Sequence, residues 1–213
     1  RHDRIRALRA GARYDFLDTI LGVAVNAIDV EVSQGLGILG ASEEGRANLT
    51  RAEGDPQFTK IEAEIQRLQR IDEDFNLLLI GRGQWSADPL LSSEEFSVGG
   101  IGLGRGYDPS EITGDDGIAA KAELQWNSPY ATDLDYIDGY QVYSFFDVGT
   151  VWDQDPTTND QKRDSISSTG AGVRVNFTGQ TQADLAVAFP LTRDVQTQGD
   201  RDPKVYFGLN KRF

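Results

Sequence analysis

Apolar and polar residues alternate with a period of two from one end of the chain to the other, and this pattern predicts β-strands. Ile28, Val30 and Val32 alternate with Asp29, Glu31 and Ser33, and Ile61, Ala63 and Ile65 alternate with Lys60, Glu62, Glu64 and Gln66. Phe75, Leu77 and Leu79 lead toward Trp85, with Leu78 and Ile80 blurring the polar face. Ile118, Ala120, Ala122, Leu124 and Trp126 alternate with Ala119, Lys121, Glu123 and Gln125. Val142, Phe146, Val148 and Trp152 share a face opposite Gln141, Asp147 and Gly149. Ala171, Val173, Val175 and Phe177 form a sixth run, Ala183, Leu185, Val187 and Phe189 a seventh, and Val205, Phe207 and Leu209 the last. With less regular segments at 3–14 and 95–102, the count is about ten strands. The stretch 60–71 also fits an amphipathic helix, but its neighbours favour a strand.

The connections alternate in style. Gly179-Gln180 is a tight turn, whereas 153–164 and 192–203 are long and polar. Short turns at one rim and long loops at the other belong to membrane barrels. One segment departs from this. Residues 40–57 form a long loop where strand counting from the Arg105 loop puts the short-turn rim. No internal repeat, linker or second domain is visible. The best apolar run, Thr19 to Ile28, is interrupted by Asn26 and falls short of the roughly 20 residues of a membrane helix. A barrel strand needs only about 10 residues of alternating polarity. The polar faces would meet water in a soluble sandwich and a hydrated lumen in a barrel. Trp85, Trp126 and Trp152 fall near strand ends, which fits an interfacial girdle and a buried core equally.

Composition narrows the function. The chain has 213 residues, enough for one domain, and no Met, so it is read as a piece of a longer protein. It has no Cys, which excludes disulfides and zinc–thiolate sites. A net charge of −13 disfavours nucleic acid. His2 is the only histidine, so a Ser/His/Asp triad or a multi-histidine metal site is not expected. The glycines at 99–106 match neither a dinucleotide fingerprint nor a phosphate loop. Adjacent carboxylates such as Glu43-Glu44 and Glu94-Glu95 would point to opposite faces of a strand. No enzyme, cofactor or metal is expected. Asp115 and Asp116, or Asp153, Asp155 and Asp160, lack calcium-loop spacing and read as solvated loop acids. The Gly-Asp-Asp-Gly at 114–117 reads as a turn. The sequon at Asn48 carries no weight.

The most informative stretch is Gly99 to Glu123, GGIGLGRGYDPSEITGDDGIAAKAE, a glycine-rich loop that delivers the chain into an alternating strand. Gly104-Arg105-Gly106-Tyr107 places one Arg between glycines, which allow close backbone approach. From Gln84 to Glu123, the order GQWSADPLLSSEEFSVGG, GRGYDPSE and GDDG resembles the outer-membrane transporters of two-partner secretion, the haemolysin secretion/activation family. YSFFDVGTVW at 143–152 and a chain ending on Phe213 extend the resemblance.

That resemblance implies an all-β fold, the C-terminal ten or so strands of a transmembrane barrel of roughly sixteen. The N-terminal polypeptide-transport-associated (POTRA) domains and first strands would be absent from this chain. It implies a bacterial outer-membrane transporter exporting a large partner exoprotein of haemolysin or adhesin type. The long loop, at about 103–117, would fold back into the lumen. Its Arg105 would meet Asp147 of the Phe145-Phe146-Asp147-Val148-Gly149 motif. Alternation independently puts Asp147 opposite Phe146 and Val148, facing the lumen, and a guanidinium binds a carboxylate through two parallel hydrogen bonds. Phe213, with Leu209, Phe207 and Val205, resembles the signal read by the barrel-assembly machinery. Lys211 interrupts that apolar face where a long side chain can snorkel. The partners implied are the exoprotein, outer-membrane lipid and the assembly machinery. Three rivals stay open: a barrel-assembly factor of the same superfamily, a passive porin and a soluble β-sandwich adhesin.

Overall fold

The computed structural model describes residues 2–46, 49–128, 136–154 and 162–212. Eleven strands follow one another: β1 (Ala7–Asp18), β2 (Ala24–Gly35), β3 (Thr59–Arg70), β4 (Phe75–Ser86), β5 (Phe96–Val98), β6 (Ile112–Gly114), β7 (Asp116–Asn127), β8 (Ile137–Trp152), β9 (Arg163–Phe177), β10 (Thr181–Pro190) and β11 (Lys204–Lys211). Nine of them form one antiparallel sheet in the order β1-β2-β3-β4-β7-β8-β9-β10-β11. β5 and β6 pair separately as a short hairpin. Among the described residues there is no helix. β1 to β4 and β7 are each twelve residues long, enough for a tilted strand to cross a bilayer, which takes about 9–11. The stretch 60–71 is strand, as its neighbours indicate.

Directly paired residues share a face of the sheet, so the register sorts every side chain. One face carries Ile61, Trp85, Ile118, Phe146, Val148, Leu185 and Phe207, all exposed. The other carries Lys60, Gln84, Glu123, Asp147 and Ser168, all buried. A soluble sheet shows the reverse. Exposed apolar side chains opposite buried charges fit a wall with lipid outside and a packed polar interior. Trp85, Trp126 and Trp152 all lie on the outward face, Trp126 in an edge-on contact with Tyr140 at 5.8 Å between ring centroids.

Two exceptions cluster at one end. Leu17, Val25, Leu68 and Leu78 pair successively across β1 to β4 and make an apolar row on the inward face. Leu78 and Ile80, which blurred the predicted polar face, belong to this inner region. On the outer face behind them, Asp18, Asn26, Arg67 and Gln69 join in one hydrogen-bonded cluster, with Arg67 donating to Asp18 at 2.5 Å and to Asn26 at 2.8 Å. The cluster is charge-neutral and its polar atoms satisfy one another, which lowers the cost of placing them beside apolar surface.

The predicted strand at 95–102 is corrected. Only Phe96–Val98 is strand, and it belongs to the β5–β6 hairpin rather than to the wall. The loop between wall strands therefore runs from 87 to 115, longer than the predicted 103–117. Removing that strand from the count also shifts the parity. The long segment 40–57 falls on the same rim as the Arg105 loop, together with 153–162 and 191–203. The connections 19–23, 71–74 and 178–180 occupy the other rim.

The sheet curves around the 87–115 loop. Glu94 of that loop accepts from Arg9 of β1 at 2.7 Å, and Asp108 accepts from Lys204 of β11 at 2.5 Å, so both edge strands reach it from the same face. Its apolar side chains supply the main buried cluster: Phe96, Val98, Leu103, Tyr107 and Ile112 pack on Ala119, Val151 and Ile166 of the wall and on Val195. Burying such side chains is worth about 1.5–3 kcal/mol each.

Candidate functional site

The loop reaches the wall at Gly104-Arg105-Gly106-Tyr107. Gly104 has a φ of +93°, a conformation that disfavours a side chain. This bend turns two successive N–H groups toward β8: Gly104 N and Arg105 N donate to Asp147 Oδ2 at 3.2 and 3.0 Å. The Arg105 side chain then reaches the same carboxylate, with Nε on Oδ2 at 2.9 Å and Nη2 on Oδ1 at 2.8 Å. Asp147 thus accepts four hydrogen bonds, while its side chain is wholly buried. The remaining guanidinium nitrogen, Nη1, donates to Glu123 Oε2 on β7 at 2.8 Å. Below the guanidinium lies the Phe145 ring, 3.4 Å from its carbon to the ring centre. Delocalised charge stacked on an aromatic face adds to the ionic contacts. Tyr206 of β11 donates to the Arg105 carbonyl at 2.7 Å.

The wall continues the network. Arg174 of β9 donates to Glu123 Oε1 at 2.7 Å and to Asp184 of β10 at 2.9 Å, and stacks over Tyr143 at 3.8 Å. Gly170 and Gly172 leave room for the Phe145 and Tyr143 rings, whose atoms would lie 2.5 Å from an added Cβ at each position. Two stacked guanidinium–aromatic pairs therefore share one carboxylate, Glu123. Each of these charges has an opposite partner and further hydrogen bonds, which offset the cost of its burial.

Of the residues singled out in the sequence, the structure brings together Gly104, Arg105, Gly106, Tyr107 and Asp147. Gly106 is the position of closest approach, with an added Cβ 2.7 Å from Pro190 N and 2.8 Å from Ser168 Cβ. Gly149 does not touch Arg105. It makes room for Val98 of the hairpin, whose methyls would lie 2.7 and 2.8 Å from an added Cβ. Phe207 and Leu209 lie on the outward face of β11, opposite the face from which Tyr206 reaches the loop motif. Phe213, Asn48, Asp155 and Asp160 lie outside the described residues. Sequence reasoning missed Glu123, Phe145 and Arg174 as members of the site. Their positions on the inward face were available from alternation alone.

Tyr107 ties the motif to the 191–203 connection. It is fully buried, and its hydroxyl accepts from Thr192 N at 3.0 Å and Arg193 N at 3.3 Å. Tyr107→Phe keeps the ring but leaves both N–H groups without that acceptor, at a cost of about 1–3 kcal/mol. Limited proteolysis of intact protein is expected to cut 191–203 faster in the variant.

The reading of Asp115 as a solvated acid is corrected. Its side chain is wholly buried and accepts from Arg51 at 2.5 and 3.0 Å, from Leu90 N at 2.6 Å and from Gln154 N at 2.9 Å. Gly114 and Asp116 belong to β6 and β7, so 114–117 is a junction between strands rather than a free turn. Arg51 also meets Glu95 at 3.1 Å, and burial pushes the Glu95 carboxyl above its usual range. This gives the 40–57 segment its place: Arg51 reaches Glu95 and Asp115 at the ends of the hairpin and the Leu90 carbonyl, and Gly54 lies against the fully buried Leu90 and Leu91. Arg51→Met is expected to cost about 3–5 kcal/mol, because it leaves the Asp115 charge buried and short of a cation. A lower unfolding temperature in heat-modifiable gel mobility would register it.

Inside-out burial, long strands and an interior loop pinned by buried charges together define the wall of an outer-membrane β-barrel. The family model for the haemolysin secretion/activation proteins ShlB/FhaC/HecB matches residues 4–175. The chain belongs to that family, and the resemblance read from Gln84 to Glu123 is borne out. Among solved structures it is similar to CdiB from Escherichia coli, with a TM-score of 0.72 and 18% identity, over 97% of this chain and 36% of that chain. The chain thus spans about a third of the length of that protein. A comparison with curated proteins finds no match. The fold is part of a transmembrane β-barrel of the Gram-negative outer membrane, the class of barrel used in two-partner secretion.

Proposed function

We propose that this chain forms part of the pore of a two-partner secretion transporter, which exports one large partner exoprotein, of haemolysin or adhesin type, across the outer membrane. The observation that supports this most directly is the interior loop, held on the wall by Arg105 between Asp147 and Glu123. That buried polar clamp sits beside the apolar packing of the same loop on the wall, an arrangement suited to holding a pore closed until a passing chain displaces the loop. Inner-wall residues such as Asp29, Glu31, Glu62, Glu64 and Arg82 would give an extended polypeptide a hydrated path without stable binding. Folding of the exported protein outside the cell would make its return unfavourable.

Family membership favours this over an assembly factor that shares the arginine loop. The test is deletion of the gene in its own host, with a plasmid copy as complement. Loss of the partner from the medium, restored by the plasmid, is the expected result. Continued export with impaired insertion of unrelated barrels would point instead to assembly, and continued export with only altered small-solute uptake to a porin.

A further inference from the structure

Among the described residues, one cation beside the Arg105 network is left over once the ion pairs there are assigned. Lys121 of β7 lies directly opposite Asp147 of β8. Their side chains rise from the same face, with Cβ atoms about 4.5–5.5 Å apart in such pairs. Among the described residues no carboxylate oxygen lies within 4.0 Å of the Lys121 ammonium. It donates instead to the Gly102 carbonyl of the loop at 3.3 Å.

The two carboxylates that grip Arg105 stand differently. Glu123 has a second cation, Arg174, at 2.7 Å, and a further donor, Gln125, at 2.9 Å. Asp147 receives all four of its hydrogen bonds from Gly104 and Arg105, so it depends on the loop alone. Withdrawing the loop would strip Asp147 of every one of them and leave Glu123 paired. The nearest free positive charge is Lys121, a point charge on a flexible four-carbon stem that can swing to a neighbour across the strand.

We propose that Lys121 is the stand-in cation for Asp147: it takes the carboxylate when Arg105 leaves, so that the wall is charge-paired with the loop in or out. This rests on the reading that the loop yields during export. Lys121 is then a positioning residue that lowers the cost of the released state. It acts through Asp147 and touches the loop only while the loop is seated.

A double-mutant cycle separates this from the bland role, a clamp on Gly102. The full-length protein in detergent micelles is unfolded with urea as wild type, Arg105→Ala, Lys121→Met and the double variant. A stand-in makes the double variant lose more in midpoint than the two single losses added together, because nothing then neutralises Asp147. A clamp makes it lose less, because the loop has already gone. A shortfall or strict additivity overturns the proposal. Lys121→Arg, which keeps the charge, is expected to return the cycle to additivity.

A second measurement needs no change at Arg105. A nitroxide at Ile101→Cys, an exposed loop position, is expected to be no more mobile in Lys121→Met than in wild type. Greater mobility would identify a clamp and sink the proposal. Neither readout involves export, so failure here leaves the transport reading standing, and failure of transport leaves the cycle interpretable.

Discussion

Asp147→Ala is expected to destabilise the barrel by about 3–5 kcal/mol and to free the interior loop. The side chain removed is wholly buried and accepts four hydrogen bonds, two from backbone N–H groups and two from Arg105. Without it, the Gly104 and Arg105 N–H groups lose their acceptor, and the guanidinium keeps only Glu123 and the Phe145 face. An unfolding midpoint of the detergent-solubilised protein would measure the loss. Asp147→Asn, which retains an acceptor oxygen but no charge, should fall between. The four-donor geometry also decides what a charge exchange would do. An Arg at position 147 would face the N–H groups of residues 104 and 105, and an Asp at 105 would face Glu123. The exchanged pair is therefore expected to remain defective, although the two charges are formally restored.

Gly106→Ala is the second large effect, and it acts by volume alone. An added Cβ would stand 2.7 Å from Pro190 N, 2.8 Å from Ser168 Cβ and 2.9 Å from the Phe189 carbonyl carbon. Two of these atoms are backbone of β10 and the third is fixed to β9, so the loop must lift rather than the wall give. Overpacking of this kind costs about 1–3 kcal/mol. Lifting position 106 also lengthens the neighbouring hydrogen bonds of Arg105, so loop release should accompany the loss. Gly81→Ala on β4 serves as the control, because an added Cβ there meets nothing within 4 Å. Limited proteolysis of the loop should distinguish the two substitutions clearly.

The wall was legible in the sequence because a period of two survives wherever one face meets lipid. β7, β8, β9 and β10 read correctly for that reason. The β5–β6 hairpin was not legible as such. Strands of three residues carry no period, and Phe96 and Val98 are apolar because they pack inward on the wall. Mistaking that segment for a wall strand reversed the assignment of 40–57 to a rim. Leu17, Val25, Leu68 and Leu78 break the pattern because the inward face is not polar throughout. Arg105 and Asp147 stood out through motif and face together. Glu123 and Arg174 were equally placed by alternation, but a polar residue on a lumenal face looks the same whether it is solvated or clamped. Arg51 gave no local signal at all, since its partner Asp115 is 64 positions away.

Arg105 is proposed as a working part of an export pore and not only a brace. That role is tested most directly by export of the partner protein through full-length Arg105→Ala beside wild type, with insertion checked by heat-modifiable gel mobility. An inserted barrel with a collapse of partner export is the expected result. An inserted barrel that exports at the wild-type level would contradict it, and would make the Arg105 contacts with Asp147 and Glu123 a matter of structure alone.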